Sequence, residues 1–278
     1  SRECVPILCD RLGRLLHMAS RQRFRNTYGD QKSKMVYLDM EEYRDMEITA
    51  QVFMETLDRV SLQSCRAGIA LQAYLPDAYR VQQSLTQWAL KRVSRGGSPI
   101  TIRIVKGANM EMERVEASIA GFRQAPFKAK LDTDANYKRM LQFGIQSRHL
   151  RAVHIGVASH NLLDISYALV RTADEDAFAA VQFEMLEGMA NHQRRALHEI
   201  ASNLLLYAPA CKQSDFLNAI GYLIRRLDEN TGPDNFLRHA FQIETGSPEW
   251  RHLENQFIES FSQIPNLTSE SRRGTAEV

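Results

Sequence analysis

The sequence of 278 residues is 44% hydrophobic and 24% charged, which is the composition of a globular protein with one large domain or two small ones. Its 35 Lys and Arg residues against 33 Asp and Glu residues give a formal net charge of +2, which by itself argues neither for nor against nucleic-acid binding. Because the sequence has no basic stripe interleaved with aromatic residues, we predict no nucleic-acid binding through this segment. The four cysteines lack CxxC spacing and no apolar run reaches the roughly 18 residues of a membrane span, so we predict no disulfide, no metal site and no spanning helix.

Strand and helix patterns alternate along the chain. Strands are predicted at 35–39, 67–74, 99–106, 152–158, 180–186 and 203–208. Helices are predicted at 3–20, 42–62, 77–95, 109–120, 134–148, 161–172, 189–201, 213–229, 233–241 and 250–262. This alternation is typical of right-handed βα units around a parallel sheet.

A closed (βα)8 barrel needs eight strands, whereas six are predicted and the opening helix has no strand before it. The sequence therefore predicts an α/β fold of the TIM-barrel type, N-terminally truncated so that the first two strands precede residue 1. A doubly wound open sheet is the alternative, although no GxGxxG follows any predicted strand. We assign residues 1–245 to the partial barrel and 246–278 to a C-terminal helix and a polar tail or linker, with 268–278 either disordered or a linker.

The segment TIRIVKGANMEMERVEAS (101–118) is the most informative stretch of the chain. An apolar strand ends in Arg103 and Lys106, turns at Gly107 and leads directly into a helix. Buried cations are costly unless they meet a partner, glycine allows close backbone approach, and a helix start offers free N–H groups to an anion. The segment indicates an anionic ligand here, or else a strand edge whose cations simply reach solvent.

Polar side chains stand at the predicted ends of other strands as well. They are Asp39, Gln72, Ser159, His160, Glu184 and Tyr207, with Arg225 and Arg226 on a later helix. Because the carboxyl ends of parallel barrel strands form one mouth, such groups together could hold a large anionic cofactor and a small zwitterion.

Simpler interpretations of these residues stay open on spacing alone. Asp39 before a helix could be only an N-cap, and His160 a structural histidine. Tyr207 on an apolar strand could be a core residue. The pair Arg225 and Arg226, followed by acidic residues, could be a surface salt-bridge face.

Longer motifs carry a resemblance to a known family. They are YLDMEE (37–42), LQAY (71–74), RIVKGA (103–108), TDANY (133–137), ASHN (158–161), FEMLEGM (183–189), LLYAP (205–209) and GYLIRRLDEN (221–230). The chain closely resembles the proline dehydrogenase domain, either as a monofunctional enzyme or as the first catalytic domain of bifunctional proline utilization A (PutA) proteins. The resemblance implies an FAD-containing (βα)8 barrel that oxidises L-proline to Δ1-pyrroline-5-carboxylate by hydride transfer from proline C5 to flavin N5, in the catabolism of proline to glutamate.

The resemblance also implies roles for individual residues. Asp39 and Arg103 match catalytic positions, with Arg103 beside the flavin N5 edge, where a cation stabilises the reduced flavin. Positions that match cofactor contacts are Met40, Gln72, Arg103, Val105, Lys106, Gly107, Ala108, Lys130, Ser159, His160 and Glu229. Positions that match proline contacts are Leu186, Tyr207, Arg225 and Arg226, the arginines pairing with the substrate carboxylate.

The same resemblance implies partners and a location. Electrons would pass to a membrane quinone, and a pyrroline-5-carboxylate dehydrogenase domain, fused or downstream, would take the product. The sparse cysteines favour the cytoplasm, with peripheral contact at the inner membrane for quinone reduction. Two alternatives remain: a class I aldolase-like barrel with Lys106 as the Schiff-base nucleophile, and an inactive interaction fragment.

Overall fold

One parallel sheet forms the centre of the chain. The computed structural model describes residues 4–25, 29–107, 109–201, 203–230, 235–239 and 243–274, with the backbone alone at 223 and 225–230. An antiparallel hairpin of β1 (Arg23–Arg25) and β2 (Gln31–Ser33) precedes the sheet. The sheet strands are β3 (Val36–Leu38), β4 (Ala67–Gln72), β5 (Ile100–Val105), β6 (Val153–Ala158), β7 (Val181–Leu186) and β8 (Leu204–Tyr207), each parallel to the next in chain order.

Helices connect the successive strands of the sheet, and further helices precede and follow the sheet. They are α1 (Val5–Arg21), α2 (Met46–Leu57), α3 (Ala78–Ser94), α4 (Met110–Ala120), α5 (Lys130–Gly144), α6 (Ser147–Leu150), α7 (Leu162–Asp174), α8 (Asn191–Ile200), α9 (Phe216–Asn230), α10 (Phe236–His239) and α11 (Pro248–Gln263). Asn161 caps α7 by accepting from the backbone N–H of Leu163, and Ser247 caps α11 by accepting from that of Trp250. Among the described residues, no helix is both long and apolar enough to cross a membrane.

The sheet is strongly curled. In a flat sheet β3 and β7 would lie about 19 Å apart, four strand spacings. Instead, the Tyr37 hydroxyl on β3 donates a hydrogen bond to Glu184 Oε1 on β7, with an oxygen–oxygen distance of 3.0 Å. Curling and sequential parallel order match the predicted TIM-type half-barrel of six strands, and the order excludes the doubly wound alternative.

All six predicted strands are confirmed, and the described helices lie where the pattern places them, with some changes of length. The hairpin β1–β2 was not predicted, because apart from Phe24 its residues are polar, all of them are exposed, and they show no sustained apolar alternation. Helix α5 begins at Lys130, four residues before its predicted start. The predicted helix 42–62 is the shorter α2, flanked by 3₁₀ turns at Tyr43–Asp45 and Val60–Leu62.

Of the two predicted alternatives for the tail, disorder is wrong for residues 268–274, and a linker role stays a prediction. This segment, which we call the C-terminal strap, packs against the barrel after α11. Arg273 within it is buried at 4% exposure and contacts residues from α4 and the loop after α4. The polar composition indicated a solvated tail. A buried ion pair between Arg273 and Glu113, 160 residues apart in sequence, instead fixes the C-terminal strap in place.

Candidate active site

Arg103 lies at the centre of the inner face of the sheet. Its Nε donates to Glu184 Oε2 on β7, and its Nη1 donates to Asp39 Oδ1, just after β3, at 2.8 Å. The guanidinium lies 4.3 Å from the ring centroid of Tyr37 and 5.6 Å from that of Tyr207. Five residues from four strands and one strand end therefore meet at this point, which we call the arginine centre.

The electrostatics of the arginine centre keep the guanidinium charged. Burial by itself would lower the pKa of Arg103, but the carboxylates of Glu184 and Asp39 outweigh it and raise that pKa. Burial and the Glu184 carboxylate raise the pKa of Tyr37 well above its usual range, so its hydroxyl remains a proton donor to Glu184. Asp39 is the exposed member, with 48% of its side chain accessible.

Two glycines make room for the large side chains of the arginine centre. A Cβ on Gly68 would overlap the ring of Tyr37, and a Cβ on Gly156 would overlap Glu184 Oε1. Gly68 lies on the strand next to that of Tyr37, and Gly156 lies on the strand next to that of Glu184. At each of these two places the curled inner face has space for one side chain and not for two.

Replacing Gly156 by alanine should therefore displace the Glu184 carboxylate and lower the free energy of unfolding by about 1–3 kcal/mol, the usual cost of overpacking. The matched control is Gly221→Ala on α9, where a new Cβ meets nothing within 4 Å. Because alanine favours helices over glycine, the control should be neutral or stabilised by up to about 1 kcal/mol. Chemical denaturation of both variants measures the difference, and equal midpoints would contradict the proposed crowding.

Gln72, at the end of β4, holds the loop that follows β3. Its Nε2 donates to the carbonyl oxygen of Met40 at 2.6 Å and lies 3.4 Å from that of Glu41. Asn109 Nδ2 also donates to the Glu41 carbonyl, at 3.1 Å. The loop that carries Asp39 and Met40 is thus tied to the ends of β4 and β5, at the carboxyl edge of the sheet.

A second charged group, the lysine cluster, lies beside the arginine centre. It consists of Lys106, Lys130, Lys138, Asp134 and Asp164. Lys106 Nζ contacts Asp134 and lies 2.7 Å from Asp164 Oδ2; Lys130 Nζ lies 2.5 Å from Asp134 Oδ2, and Lys138 Nζ lies 3.2 Å from Asp164 Oδ1. Three lysines against two aspartates leave a net charge of +1 in a small cavity that α11 closes with Phe257.

Exposure divides the lysine cluster into an outer and an inner part. The side chains of Lys106 and Lys130 are 25% and 38% exposed, whereas those of Lys138 and Asp164 are each 1% exposed. Lys138 Nζ also lies 4.4 Å from the ring centroid of Phe257. Lys106 and Lys130 are exposed enough to reach a ligand. The buried pair of Lys138 and Asp164 lies behind them, with Asp164 holding Lys106 by an ion pair.

The ion pairs of Lys106 argue against the Schiff-base alternative. Burial would lower the pKa of Lys106, but Asp134 and Asp164 outweigh burial and raise it above its usual range. A Schiff-base lysine needs a neutral amine and is normally activated by a lowered pKa. Burial would likewise raise the pKa of Asp134, but Lys106 and Lys130 lower it.

Gly107 turns the chain between β5 and α4. Its φ of +144° is a conformation that favours glycine, and a Cβ there would overlap the ring of Tyr74. The Tyr74 backbone N–H donates to the Lys106 carbonyl at 2.7 Å, and the Ala73 N–H donates to that of Val105 at 2.8 Å. The turn is therefore closely packed, and α4 begins three residues after Gly107.

The remaining predicted positions lie along β6, β7 and β8. His160 Nε2 accepts a hydrogen bond from the Leu186 N–H at 3.1 Å, so this nitrogen carries no proton, and burial lowers the pKa of His160. Ser159 Oγ accepts from the Asn161 N–H at 3.0 Å. Leu186 is the register partner of Tyr207 at the carboxyl ends of β7 and β8.

The structure thus brings most predicted positions to one edge of the sheet. Asp39, Arg103 and Tyr207 meet in the arginine centre, and Lys106 and Lys130 meet in the lysine cluster. Ala108 and the side chains of Arg225, Arg226 and Glu229 lie outside the described residues. The cofactor and substrate roles of all the predicted positions stay predictions.

Sequence reasoning assigned no role to several residues of the site. Glu184 was noted at a strand end, but its ion pair with Arg103 was not foreseen, and Tyr37, Asp134, Lys138 and Asp164 were missed. A signal existed for Glu184: a carboxylate inside the apolar strand VQFEML needs a buried partner.

The curled sheet of parallel βα units carries ion-paired cations at and near the carboxyl ends of its strands. This is where proteins of the TIM-barrel class have their active sites. Comparison with known proteins narrows the class. The family model described as proline dehydrogenase matches residues 10–239, and the chain belongs to the proline dehydrogenase family.

Named relatives and solved structures agree with this family. The chain is 28% identical over 163 residues to hydroxyproline dehydrogenase of Bos taurus, covering 57% of this chain and 34% of that protein. It is 27% identical over 199 residues to proline dehydrogenase 2 of Bacillus subtilis, covering 70% and 54%. Its fold matches PutA of Corynebacterium freiburgense with a TM-score of 0.83 at 34% identity, covering 97% of this chain and 25% of that one.

A second PutA structure, from Bdellovibrio bacteriovorus and inactivated by N-propargylglycine, matches with a TM-score of 0.80 at 27% identity, covering 98% of this chain and 26% of that one. The chain therefore spans about a third to a half of these curated relatives and about a quarter of the PutA chains.

Proposed function

We propose that this chain carries the site for FAD-dependent oxidation of L-proline to Δ1-pyrroline-5-carboxylate. Family membership supports the reaction class, and the names of the relatives support the substrate. The observation that carries the proposal is the arginine centre, in which Arg103 is held charged on the inner face beside the exposed carboxylate of Asp39.

The residues present fit a flavin dinucleotide. Its two phosphates need cations and N–H donors: the outer lysines Lys106 and Lys130 belong to a cluster with a net charge of +1, and α4 begins four residues after Lys106. The turn at Gly107 allows close backbone approach. Lys106, Lys130 and Gly107 would hold the phosphates, and Met40, Gln72, Ser159 and His160 would line the remainder of the cofactor.

When bound, FAD supplies a hydride acceptor. The protein's part is to position the reactants and to adjust the charge around them. Arg103, fixed by Glu184 and Tyr37, keeps a permanent positive charge at the inner end of the site, where it stabilises developing negative charge. Leu186 and Tyr207 would pack on the pyrrolidine ring of proline, and Arg225 and Arg226 would pair with its carboxylate.

Hydroxyproline is a second candidate substrate, because one relative is named hydroxyproline dehydrogenase. The Bacillus relative named proline dehydrogenase aligns with more of the chain, 70% against 57%, and this favours proline. We further propose that a quinone at the inner membrane takes the electrons, that the chain works in the cytoplasm, and that a pyrroline-5-carboxylate dehydrogenase domain accompanies it.

The test is spectroscopic. The 278-residue chain, reconstituted with FAD, should retain flavin absorption bands after gel filtration, and L-proline added without oxygen should bleach them. N-propargylglycine, with which the Bdellovibrio relative was inactivated, should block this bleaching. Hydroxyproline in place of proline distinguishes the two substrates by initial rate.

Two results would contradict the proposal. Loss of all flavin bands on gel filtration would remove the cofactor assignment, and retained flavin that neither amino acid bleaches would remove the reaction. Faster bleaching with hydroxyproline than with proline would keep the chemistry and reverse the order of the substrates.

A further inference from the structure

Arg273 anchors the C-terminal strap in the interior of the protein. Its Nη2 lies 3.0 Å from Glu113 Oε2 on α4, and the two side chains are each only 1% exposed. Its Nε donates to the Arg123 carbonyl at 3.0 Å, and Glu116 Oε2 lies 3.4 Å from Nη1. Because a loosely held guanidinium would remain in solvent, a buried one with this many partners holds the C-terminal strap in a fixed position.

The strap has two further attachments beside Arg273. Ser271 Oγ makes a close hydrogen bond with the hydroxyl of Tyr43, and Arg272 Nη1 donates to the carbonyl oxygen of Pro126. Burial raises the pKa of Tyr43 to about 12, so its hydroxyl stays protonated for these contacts. The strap therefore contacts both the loop after β3 and the loop after α4.

The contacts of the strap lead to the candidate active site in two steps. Glu113, which pairs with Arg273, also accepts a hydrogen bond from the Tyr43 backbone N–H at 2.6 Å. Tyr43 closes the loop 39–43, whose Met40 carbonyl receives the side chain of Gln72. The same loop carries the aspartate of the arginine centre, so a displacement of Glu113 would be passed to that loop.

We propose that the C-terminal strap is a positioning element of the candidate active site, in which Arg273, through Glu113 and Tyr43, fixes the loop 39–43 and so sets the affinity of the site for its dinucleotide. The family model ends at residue 239, so the strap lies outside the residues that the family match covers. The part of this proposal that concerns affinity rests on the proposed function, whereas the part that concerns the loop does not.

The experiment compares Arg273→Met with Arg272→Met in the 278-residue chain. Arg272 belongs to the same strap, but its contact is with Pro126 and not with Glu113 or Tyr43. Hydrogen exchange followed by mass spectrometry reports on residues 39–46, and quenching of FAD fluorescence reports the dissociation constant. For Arg273→Met we expect exchange in 39–46 and the FAD dissociation constant each to rise about tenfold, with neither change in Arg272→Met.

Two more variants keep the test decisive if Arg273→Met does not fold. Ser271→Ala removes the contact with the Tyr43 hydroxyl, together with two local hydrogen bonds between Ser271 Oγ and the backbone of Arg273, and leaves the Arg273–Glu113 ion pair in place. It should therefore raise exchange in 39–46 by a smaller factor. Glu113→Gln combined with Arg273→Met removes the buried lone carboxylate while keeping an oxygen for the Tyr43 N–H, and should restore part of the protection.

The proposal is overturned if exchange in residues 39–46 rises no more than in β4 and β5, because the strap would then add general stability alone. An unchanged FAD dissociation constant in Arg273→Met, with raised local exchange, would limit the strap to the loop. If the unmodified chain binds no FAD, the proposed function fails, and the exchange data still decide whether the strap positions the loop.

Discussion

Replacing Arg103 by methionine should lower the free energy of unfolding by about 3–5 kcal/mol, the usual cost of leaving a buried charge without its partner. The Glu184 side chain is 3% exposed and, within the described part of the chain, would keep only the neutral hydrogen bonds from Tyr37 and Gln182. Urea denaturation at neutral pH measures the loss. The matched control is Arg80→Met, a 52% exposed arginine paired with Glu47, which should cost less than about 1 kcal/mol.

A double variant separates charge from packing in this prediction. Glu184→Gln keeps an oxygen that accepts from Tyr37 and removes the lone charge, so Arg103→Met combined with Glu184→Gln should be more stable than Arg103→Met alone. If the double variant is as unstable as the sum of the two single variants, Arg103 contributes by packing and its charge is irrelevant.

The second large effect is expected at Asp164, which pairs with two lysines at once. Asp164→Asn leaves three lysines against one aspartate and should lower the free energy of unfolding by about 3–5 kcal/mol at pH 7. Asp174→Asn on the same helix is the matched control, since the Asp174 side chain is 57% exposed and its ion pair with Arg171 spans 3.6 Å. That control should change stability by less than about 0.5 kcal/mol.

The loss at Asp164 should also depend on pH. Burial lowers the pKa of Lys138 below its ordinary value of 10.5, and losing the Asp164 carboxylate lowers it further. The unfolded chain then binds a proton that the folded variant has released, so the unfolding free energy of Asp164→Asn should rise relative to the unmodified chain as pH increases toward 10.5. Denaturation series between pH 7 and pH 10 test this sign, and a deficit independent of pH would exclude Lys138 as its cause.

Much of the barrel follows from local sequence. Apolar runs such as ITIRIV in β5 and VHIGVA in β6 are bounded by breakers and alternate with helical periods, and this pattern places all six strands of the sheet. Strand ends then place Asp39 and Lys106 at the carboxyl edge of the sheet, with Arg103 two residues before the end of β5. The hairpin β1–β2 escapes this reasoning because exposed RFR and QKS carry no periodic signal.

The ion pairs could not be predicted, because they depend on how far the sheet curls. The Arg103–Glu184 pair joins residues 81 apart in sequence, and the Arg273–Glu113 pair joins residues 160 apart. Polar composition at the C-terminus indicated disorder, since nothing local marks Arg273 as a buried residue. Lys138 did leave a signal of burial in the sequence. It lies on the inward face of α5, where an amphipathic helix normally has apolar side chains, and a lysine there needs a buried partner.

The narrow inner face of the sheet also limits how this protein can diverge. Tyr37 occupies the space above Gly68, and Glu184 occupies the space beside Gly156, so neither glycine can enlarge while its partner stays large. A larger residue at either glycine therefore has to be accompanied by a smaller residue at its partner, so that the summed side-chain volume of the two strands stays constant. Engineering of the pocket should accordingly treat each glycine and its neighbour as a single exchangeable unit.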